Sequence, residues 1–209
     1  MNLLAYGDRS LMIEVDTTDA AIAWTSALTG AELPGIVDII PGARTVLLVT
    51  DSPARLPGLR TAVGSMAPES AGTPASDTAA SPLVVEVPVT YDGEDLEEVG
   101  RLTGLTTTEV VAAHTGQPWK VAFGGFAPGF AYLIGGDARL EVPRRDEART
   151  RVPAGAVGLA GEFSGIYPRT SPGGWQLLGH TDLSMWDATR DPPALLRPGA
   201  LVQFREVGR

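Results

Sequence analysis

Short apolar runs, separated by glycine, proline and charged residues, set the pattern of the first third of the chain. Leu3 to Val15 predicts two strands around a Gly7–Arg9 turn, and IVDII and TVLLVT predict two more strands joined by PGAR. Asp19 to Leu28 predicts a helix, which Thr17 or Thr18 can cap and Gly30 can close. Leu56 to Met66 predicts a weaker second helix. The order ββαββα predicts a small α+β domain of ferredoxin-like type.

The later part of the chain has a different pattern. VVEVPVTYD alternates as a strand does, and two helices are predicted at 94–102 and 106–114. The second helix opens with Thr106 and Glu109 at capping-box spacing. Five apolar runs bounded by Gly and Pro follow: WKVAF, FAYLI, AVGLA, WQLLG and ALVQF. Many short strands with regular turn signals predict a mainly β domain, a closed barrel or a sandwich.

Between these parts, residues 67–82 read APESAGTPASDTAASP, small and polar with no hydrophobic period. Such a composition is typical of a linker or mobile loop. The sequence therefore predicts a domain at 1–66, a linker at 67–82 and a β domain at 83–209.

Composition narrows the class of protein. Among 209 residues, 44% are hydrophobic, and 25 glycines and 17 prolines favour a turn-rich fold. The chain has no cysteine, which excludes disulfides and thiolate metal sites and favours a reducing compartment, so we expect a cytoplasmic protein. A net charge of −9 argues against nucleic-acid and anionic-membrane partners. The broken apolar pattern of MNLLAYGDRSLMIEV does not match a signal peptide, and no apolar run approaches a membrane span.

The chemistry-bearing residues are few. The two histidines, His114 and His180, lack metal-ligand spacing, so no metal site is expected. His114 ends a predicted helix, where it is either a C-terminal cap or a catalytic base. The chain has no phosphate-binding loop of the Gly-Lys-Ser/Thr type, and its serines do not form a nucleophile elbow.

The arginines cluster in EVPRRDEARTRVPAG. Arg149 and Arg151, two apart on an extended segment, point to one face and can form a fork for a carboxylate or phosphate. The alternative is a solvated strand paired with Asp146, Glu147 or Glu162.

The stretch FGGFAPGFAYLIGG, residues 123–136, has five glycines, three phenylalanines and no charge. Its aromatic residues, with Tyr167 and Trp175, can line a pocket or pack a barrel core. Packing is favoured for each residue alone. The coincidence of aromatics, glycines and nearby arginines favours a small-molecule pocket.

Three segments together resemble the KipI/PxpB family, also called allophanate hydrolase subunit 1: FGGFAPGFAYLIG, VPRRDEARTRVPAGAVGLAG and GIYPRTSPGGWQLLGHT. YGDRSLMIEV and AAHTG fit the same family, so the resemblance extends over nearly the whole chain. It implies a C-terminal domain that is a cyclophilin-like β-barrel. It also implies the B subunit of an ATP-dependent 5-oxoprolinase, which opens the lactam of 5-oxoproline to glutamate. Two partners are implied: a larger C subunit, related to allophanate hydrolase subunit 2, and an A subunit of LamB/YcsF type.

The resemblance implies where the site would lie. Its catalytic residues would be His114, Arg149 and Arg151. Its substrate-binding residues would be Phe126, Pro128, Gly129, Phe130, Tyr132, Tyr167, Ser171, Gly173, Gly174 and Trp175. The chain departs from the family pattern at Ala148, Ala156, Phe163 and His180, which puts the exact substrate in question.

The chain carries no nucleotide-binding motif, so we expect ATP and Mg²⁺ at the level of the complex and an inactive isolated chain. Two other functions stay open. One is a non-catalytic KipI-like module that inhibits a histidine kinase through a barrel groove. The other is a subunit of a urea- or allophanate-type amide hydrolase.

Overall fold

A computed structural model describes residues 1–68 and 83–208. The chain divides into two compact units, Met1–Ala79 and Ala80–Arg209, which are described one at a time. The predicted linker at 67–82 falls almost wholly outside the described residues. No helix in the described part of the chain is long and apolar enough to cross a membrane.

The first unit is a four-stranded antiparallel sheet with two helices, in the strand order β1-β2-β4-β3. Alternate residues of β2 and β4 are buried in one core with residues of both helices, as the alternating sequence pattern predicts. The elements are β1 (Asn2–Tyr6), β2 (Ser10–Glu14), α1 (Thr18–Ala31), β3 (Ile36–Pro41), β4 (Thr45–Thr50) and α2 (Leu56–Ser65).

Helix α1 begins as predicted and ends later than predicted. The Thr17 side chain caps it by accepting a hydrogen bond from the backbone N–H of Ala20 at 3.2 Å. The expectation that Gly30 closes the helix is wrong, because the helix continues to Ala31 and Glu32 takes the left-handed conformation, with φ 43°. The packing of α1 on β3 and β4 extends the helix past its weakest residue.

The α+β class of this unit matches the expectation, whereas the ferredoxin-like assignment is not confirmed. A ferredoxin-like domain has the element order βαββαβ, and this unit has ββαββα. Moving β1 to the end of the unit would convert one order into the other. The two folds therefore share most of their hydrophobic pattern, which is why the sequence suggested that fold.

The second unit is mainly β, and all five apolar runs in its sequence form strands. Its elements are β5 (Val84–Val89), α3 (Leu96–Thr103), α4 (Thr107–Thr115), β6 (Trp119–Gly124), β7 (Ala131–Ile134), β8 (Arg149–Val152), β9 (Ala156–Ala160), β10 (Phe163–Ile166), β11 (Ser171–Gly173), β12 (Gln176–His180) and β13 (Leu201–Glu206).

Within residues 83–208, seven strands form a barrel-like sheet in the order β12-β9-β10-β7-β6-β13-β5. The two outer strands meet where Thr90, just after β5, exchanges two backbone hydrogen bonds of 2.9 Å with His180 at the end of β12. This bridge nearly closes the sheet and confirms the barrel-like expectation. The separate pair β8 and β11 is antiparallel and carries Arg149.

The pairing of β5 with β13 is parallel, with register Val84↔Leu201 through Val89↔Glu206. Val87 and Phe204, which face each other in this register, are fully buried in the main core of the unit. Helix α4 packs on β13, and both capping-box hydrogen bonds between Thr106 and Glu109 are present. The helices thus cover the part of the barrel next to the seam between β5 and β12.

Candidate functional site

His114, the predicted catalytic base, lies in the interior of the second unit. Its Nδ1 is 2.7 Å from the Tyr91 hydroxyl and its Nε2 is 2.9 Å from Ser164 Oγ. The imidazole stacks on Phe204 with ring centroids 4.2 Å apart. Burial lowers the pKa of His114 to about 3, so the ring is neutral at physiological pH. With both nitrogens bound and no exposed surface, this ring joins a helix to the barrel and does not face an external reactant.

The glycine- and phenylalanine-rich segment is a strand, a tight turn and a second strand. The turn runs from Ala127 to Phe130, whose N–H donates to the Ala127 carbonyl at 2.9 Å. Pro128 and Gly129 occupy its centre, and Gly129 has φ 84°, as the third residue of a type II turn requires. A Cβ at Gly129 would also lie 2.8 Å from Trp186 Cβ, so this glycine is required both by backbone conformation and by close approach.

The aromatic residues predicted to line a pocket come together in one cluster. Phe130 makes edge-on contacts with Tyr132, Tyr167 and Trp175 at centroid distances of 5.0, 5.6 and 5.3 Å. Phe130, Tyr167 and Trp175 are buried, and Tyr132 is partly buried. Phe126 differs, because it is 58% exposed and has a positive φ of 63°, which is rare for a phenylalanine. The cluster is therefore chiefly core, with Phe126 as its exposed edge.

Strand β11 and its end complete this part of the barrel. A Cβ at Gly173 would overlap the Tyr167 hydroxyl, so the absence of a side chain leaves room for the phenol beside the strand. A Cβ at Gly174 would make only an ordinary contact, 3.6 Å from Ala148 Cβ. Ser171 is buried, and its hydroxyl has no hydrogen-bond partner among the described residues.

The two predicted catalytic arginines have different surroundings. Arg149 Nη2 lies 2.8 Å from Asp95 Oδ1 and 3.1 Å from Glu94 Oε2. Arg151 is exposed, and its side chain makes no hydrogen bond or ion pair within residues 1–68 and 83–208. Arg149 is paired within the protein, but not with the acids considered from sequence, because its partners Glu94 and Asp95 lie about fifty residues upstream of Asp146.

Asp95, which the sequence did not single out, organises this region. Its Oδ1 accepts hydrogen bonds from Arg145 Nη1 at 2.6 Å and from Arg149 Nη2, and its Oδ2 accepts from the Leu177 N–H at 2.7 Å. Burial alone would raise the pKa of Asp95, but the hydrogen bonds from Arg149 and Leu177, with two arginine charges, hold it below its usual value. Asp95 precedes α3 and would be interpreted from sequence as a helix cap, yet its side chain makes no cap hydrogen bond.

Arg144 links the arginines to the aromatic cluster. Burial raises the pKa of Tyr132 and of Tyr167, and the positive charge of Arg144 opposes both rises. Arg144 is exposed and has no hydrogen bond or ion pair in the described ranges. An exposed guanidinium without an acidic partner can bind a small organic anion. The described residues contain no group of three His, Cys, Asp or Glu that could hold a metal ion.

The comparisons with known proteins agree on one family. The model of the carboxyltransferase domain, subdomain C and D, matches residues 1–196. The B subunit of the 5-oxoprolinase of Escherichia coli O157:H7 is 38% identical over 192 residues, covering 87% of this chain and 83% of that protein. The B subunit of the Bacillus subtilis 5-oxoprolinase is 43% identical over 136 residues, or 64% of this chain and 57% of that protein.

A solved structure shows the same fold in a longer chain. The crystal structure of TTHA0988 superposes with a TM-score of 0.74 at 37% identity, covering 96% of this chain. The match spans only 40% of the TTHA0988 chain, so that protein contains further parts outside the match.

Proposed function

The chain belongs to the family of carboxyltransferase domains, subdomains C and D, and on that premise we propose that it is the B subunit of an ATP-dependent 5-oxoprolinase. One observation carries this proposal. The identity of 38% to the corresponding Escherichia coli protein extends over most of both chains. The reaction would open the lactam of 5-oxoproline to glutamate. The absence of cysteine supports a cytoplasmic location for the complex.

The role of each subunit in the complex is inferred from the motifs that this chain has and lacks. Its sequence has no phosphate-binding loop, so ATP and Mg²⁺ would be held by the larger partner, related to allophanate hydrolase subunit 2, or at its interface with this chain. ATP would phosphorylate the amide oxygen and leave as ADP, which makes the carbonyl carbon electrophilic. Water would then attack that carbon, the ring C–N bond would break and phosphate would be released, giving glutamate. A partner of LamB/YcsF type completes the proposed complex.

This chain would bind and orient the substrate. Arg144 and Arg151 have no acidic partner among the described residues, so either can receive a carboxylate or a developing phosphate charge without first breaking an ion pair. Arg145 and Arg149 are held in place by Asp95 and support the positive potential of the same segment. Phe126, the exposed edge of the aromatic cluster around Phe130, would give the substrate an apolar contact.

The test is reconstitution from the three purified proteins. We expect no glutamate release from 5-oxoproline by this chain alone, and ATP-dependent release when both partners are added. Omitting ATP, or omitting this chain, should abolish release. Turnover by the isolated chain would refute the division of labour, and no turnover in the full mixture would refute the proposed reaction.

A second candidate function is a non-catalytic binding module, such as an inhibitor of a histidine kinase. Phe126 favours it, because a phenylalanine that is 58% exposed and held at positive φ is suited to contact with another protein. An interface within the 5-oxoprolinase complex would use the same feature. Reconstitution separates the two functions, since a module that only binds would add no glutamate release to the mixture.

A further inference from the structure

The sheet of the first unit has one face in the core and one open face. The core face carries buried side chains of β2 and β4, which pack against residues of both helices: Leu11, Ile13, Val46 and Leu48. Successive side chains of a strand point to opposite faces, so the residues between these four point away from the core. Within the described ranges, none of the strand residues on the open face belongs to a core cluster.

A row of apolar side chains crosses the open face from one edge of the sheet to the other. The strand registers align four residues, one from each strand: Leu4, Met12, Leu47 and Ile40. Leu4 and Ile40, at the two ends of the row, are 44% and 45% exposed, and the two central residues are partly buried. Contiguous exposed apolar side chains mark an interaction surface, whereas single ones do not.

The rows on either side of the apolar row carry little free charge. Of the strand residues that the structure describes on the open face, only Glu14 and Asp38 are charged. Glu14 Oε2 accepts a hydrogen bond from Asn2 Nδ2, and Asp38 Oδ1 accepts one from the Ile39 N–H, both at 2.9 Å. Because both carboxylates are already bound within the chain, the face does not favour a strongly basic partner.

The edges of the sheet are protected against an added strand. At the β1 edge, Arg60 Nη1 donates to the Leu3 carbonyl at 3.1 Å, and at the β3 edge Asp38 takes the Ile39 N–H. A strand that extends the sheet would need these backbone groups free. A partner of the first unit therefore meets the sheet through its open face.

We propose that the open face binds the same face of a second copy of this chain. The two sheets pack in the aligned manner, about a two-fold axis that lies in the plane of contact and runs along the strands. Strand β1 then lies over β3 of the other copy, and β2 lies over β4. Leu4 of each copy meets Ile40 of the other, and Met12 meets Leu47, so the apolar row covers itself.

The polar residues also match in this arrangement. Glu14 lies opposite Thr45 of the other copy, and Asp38 lies opposite Tyr6. Each carboxylate thus meets a hydroxyl group, and neither acid meets the other. A surface whose apolar and polar rows both fit their own two-fold image is self-complementary, which favours a second copy over an unrelated partner.

The size of the open face indicates a weak dimer. Four strands about 4.8 Å apart, each with about five residues of 3.4 Å, give a flat area of roughly 330 Å² per copy. Stable complexes bury about 800 Å² of accessible surface per partner. We therefore expect a dimer that dissociates with a Kd of roughly 10–100 µM.

Sedimentation equilibrium of the full chain between about 1 and 300 µM tests the proposal and should show a monomer–dimer equilibrium. Leu4→Glu and Ile40→Glu should each weaken the dimer by about a hundredfold or more, because each buries two unpaired carboxylates. Val207→Glu is the matched control, since Val207 is 42% exposed and belongs to the second unit. It should leave the equilibrium unchanged. Thermal melts of dilute samples check that each variant is folded.

A double variant tests the two-fold arrangement itself. Leu4→Lys combined with Ile40→Glu puts opposite charges across the contact twice, and should restore the Kd to within about tenfold of the unaltered protein. Within one chain the two positions are about 14 Å apart, three strand spacings, so these charges do not pair there. Leu4→Glu combined with Ile40→Glu should stay monomeric.

A monomer at every concentration would overturn the proposal. So would a dimer that persists in Leu4→Glu and Ile40→Glu, an assembly larger than two copies, or no recovery in the Lys–Glu double variant. Binding only to the other proposed subunits, lost in Leu4→Glu, would assign the open face to a different protein and would also overturn it. These measurements do not depend on glutamate release, so failure of the proposed function is a separate outcome.

Discussion

The buried carboxylate of Asp95 is predicted to stabilise the second unit, and one substitution tests this. Asp95→Asn keeps the size of the side chain and removes its charge. The side chain is 4% exposed and accepts three hydrogen bonds, two of them from arginines. After the substitution, the NH₂ of the new side-chain amide would point at one of these N–H donors, and Arg145 and Arg149 would lose the anion that they share.

The expected loss in the free energy of unfolding follows from the burial of this ion pair. Removing one partner of a buried ion pair costs about 3–5 kcal/mol. Arg145 is 35% exposed and Arg149 keeps Glu94, so we expect the lower end, about 3 kcal/mol. For a chain of this size that corresponds to a fall in Tm of roughly 6–12 °C. Scanning calorimetry measures it. The transition of the second unit is assigned by tryptophan fluorescence in a Trp24→Phe background, which leaves tryptophans only in that unit.

Glu94→Gln is the matched control, since Glu94 shares Arg149 with Asp95 but its side chain is 79% exposed. An exposed pair contributes at most about 1 kcal/mol, so the control should melt close to the unaltered protein. Because the pKa of Asp95 is lowered in the fold, its stabilisation is complete above the ordinary carboxyl pKa and is lost as pH falls through the folded value. The stability gap between the protein and Asp95→Asn should therefore narrow below about pH 4. Equal melting temperatures at pH 7, or a gap that does not change in acid, would refute this reasoning.

Two further stability predictions follow from the site. The pKa of His114 is about 3 in the fold and near 6.5 when unfolded, so only the unfolded chain takes up this proton between those values. The free energy of unfolding should fall by about 1.4 kcal/mol per pH unit as pH drops from 6 to 4, and His114→Gln should lack this component. Urea titrations measure it, and curves of stability against pH that run parallel in the two proteins would contradict it. Gly173→Ala should lose about 1–3 kcal/mol, because its methyl group would overlap the Tyr167 hydroxyl, whereas Gly174→Ala should melt nearly unchanged. Similar losses in both alanine variants would show that the overlap is not the cause.

The local elements were largely predictable from sequence, since they depend on patterns within one segment. The helix predicted at 106–114 is observed as Thr107–Thr115, with its capping box intact. Long-range pairing was not predictable. The parallel contact of β5 with β13 and the bridge between Thr90 and His180 join residues far apart in the chain, and alternating apolar positions do not specify which strand lies next to which.

The candidate site likewise contains residues that the sequence identified and residues that it did not. The sequence identified the aromatic residues that gather around Phe130, because they share an apolar character and a short segment. It did not identify Asp95, whose importance comes from groups brought beside it by the fold. Asp95 resembles an ordinary helix cap. Only the position of Arg149 reveals what this side chain binds.

The parallel pair β5 and β13 has a consequence for synthesis on the ribosome. Glu86 and Arg205, which pair across these strands, are 119 residues apart. At about 5–20 residues per second, β5 waits roughly 6–24 s for its neighbour to be made. During that time VVEVPV is an unpaired apolar strand, the kind of segment that joins other nascent chains. Glu86 brings a charge into this strand and Pro88 lacks an N–H donor, so both residues are expected to limit aggregation until β13 has left the ribosome.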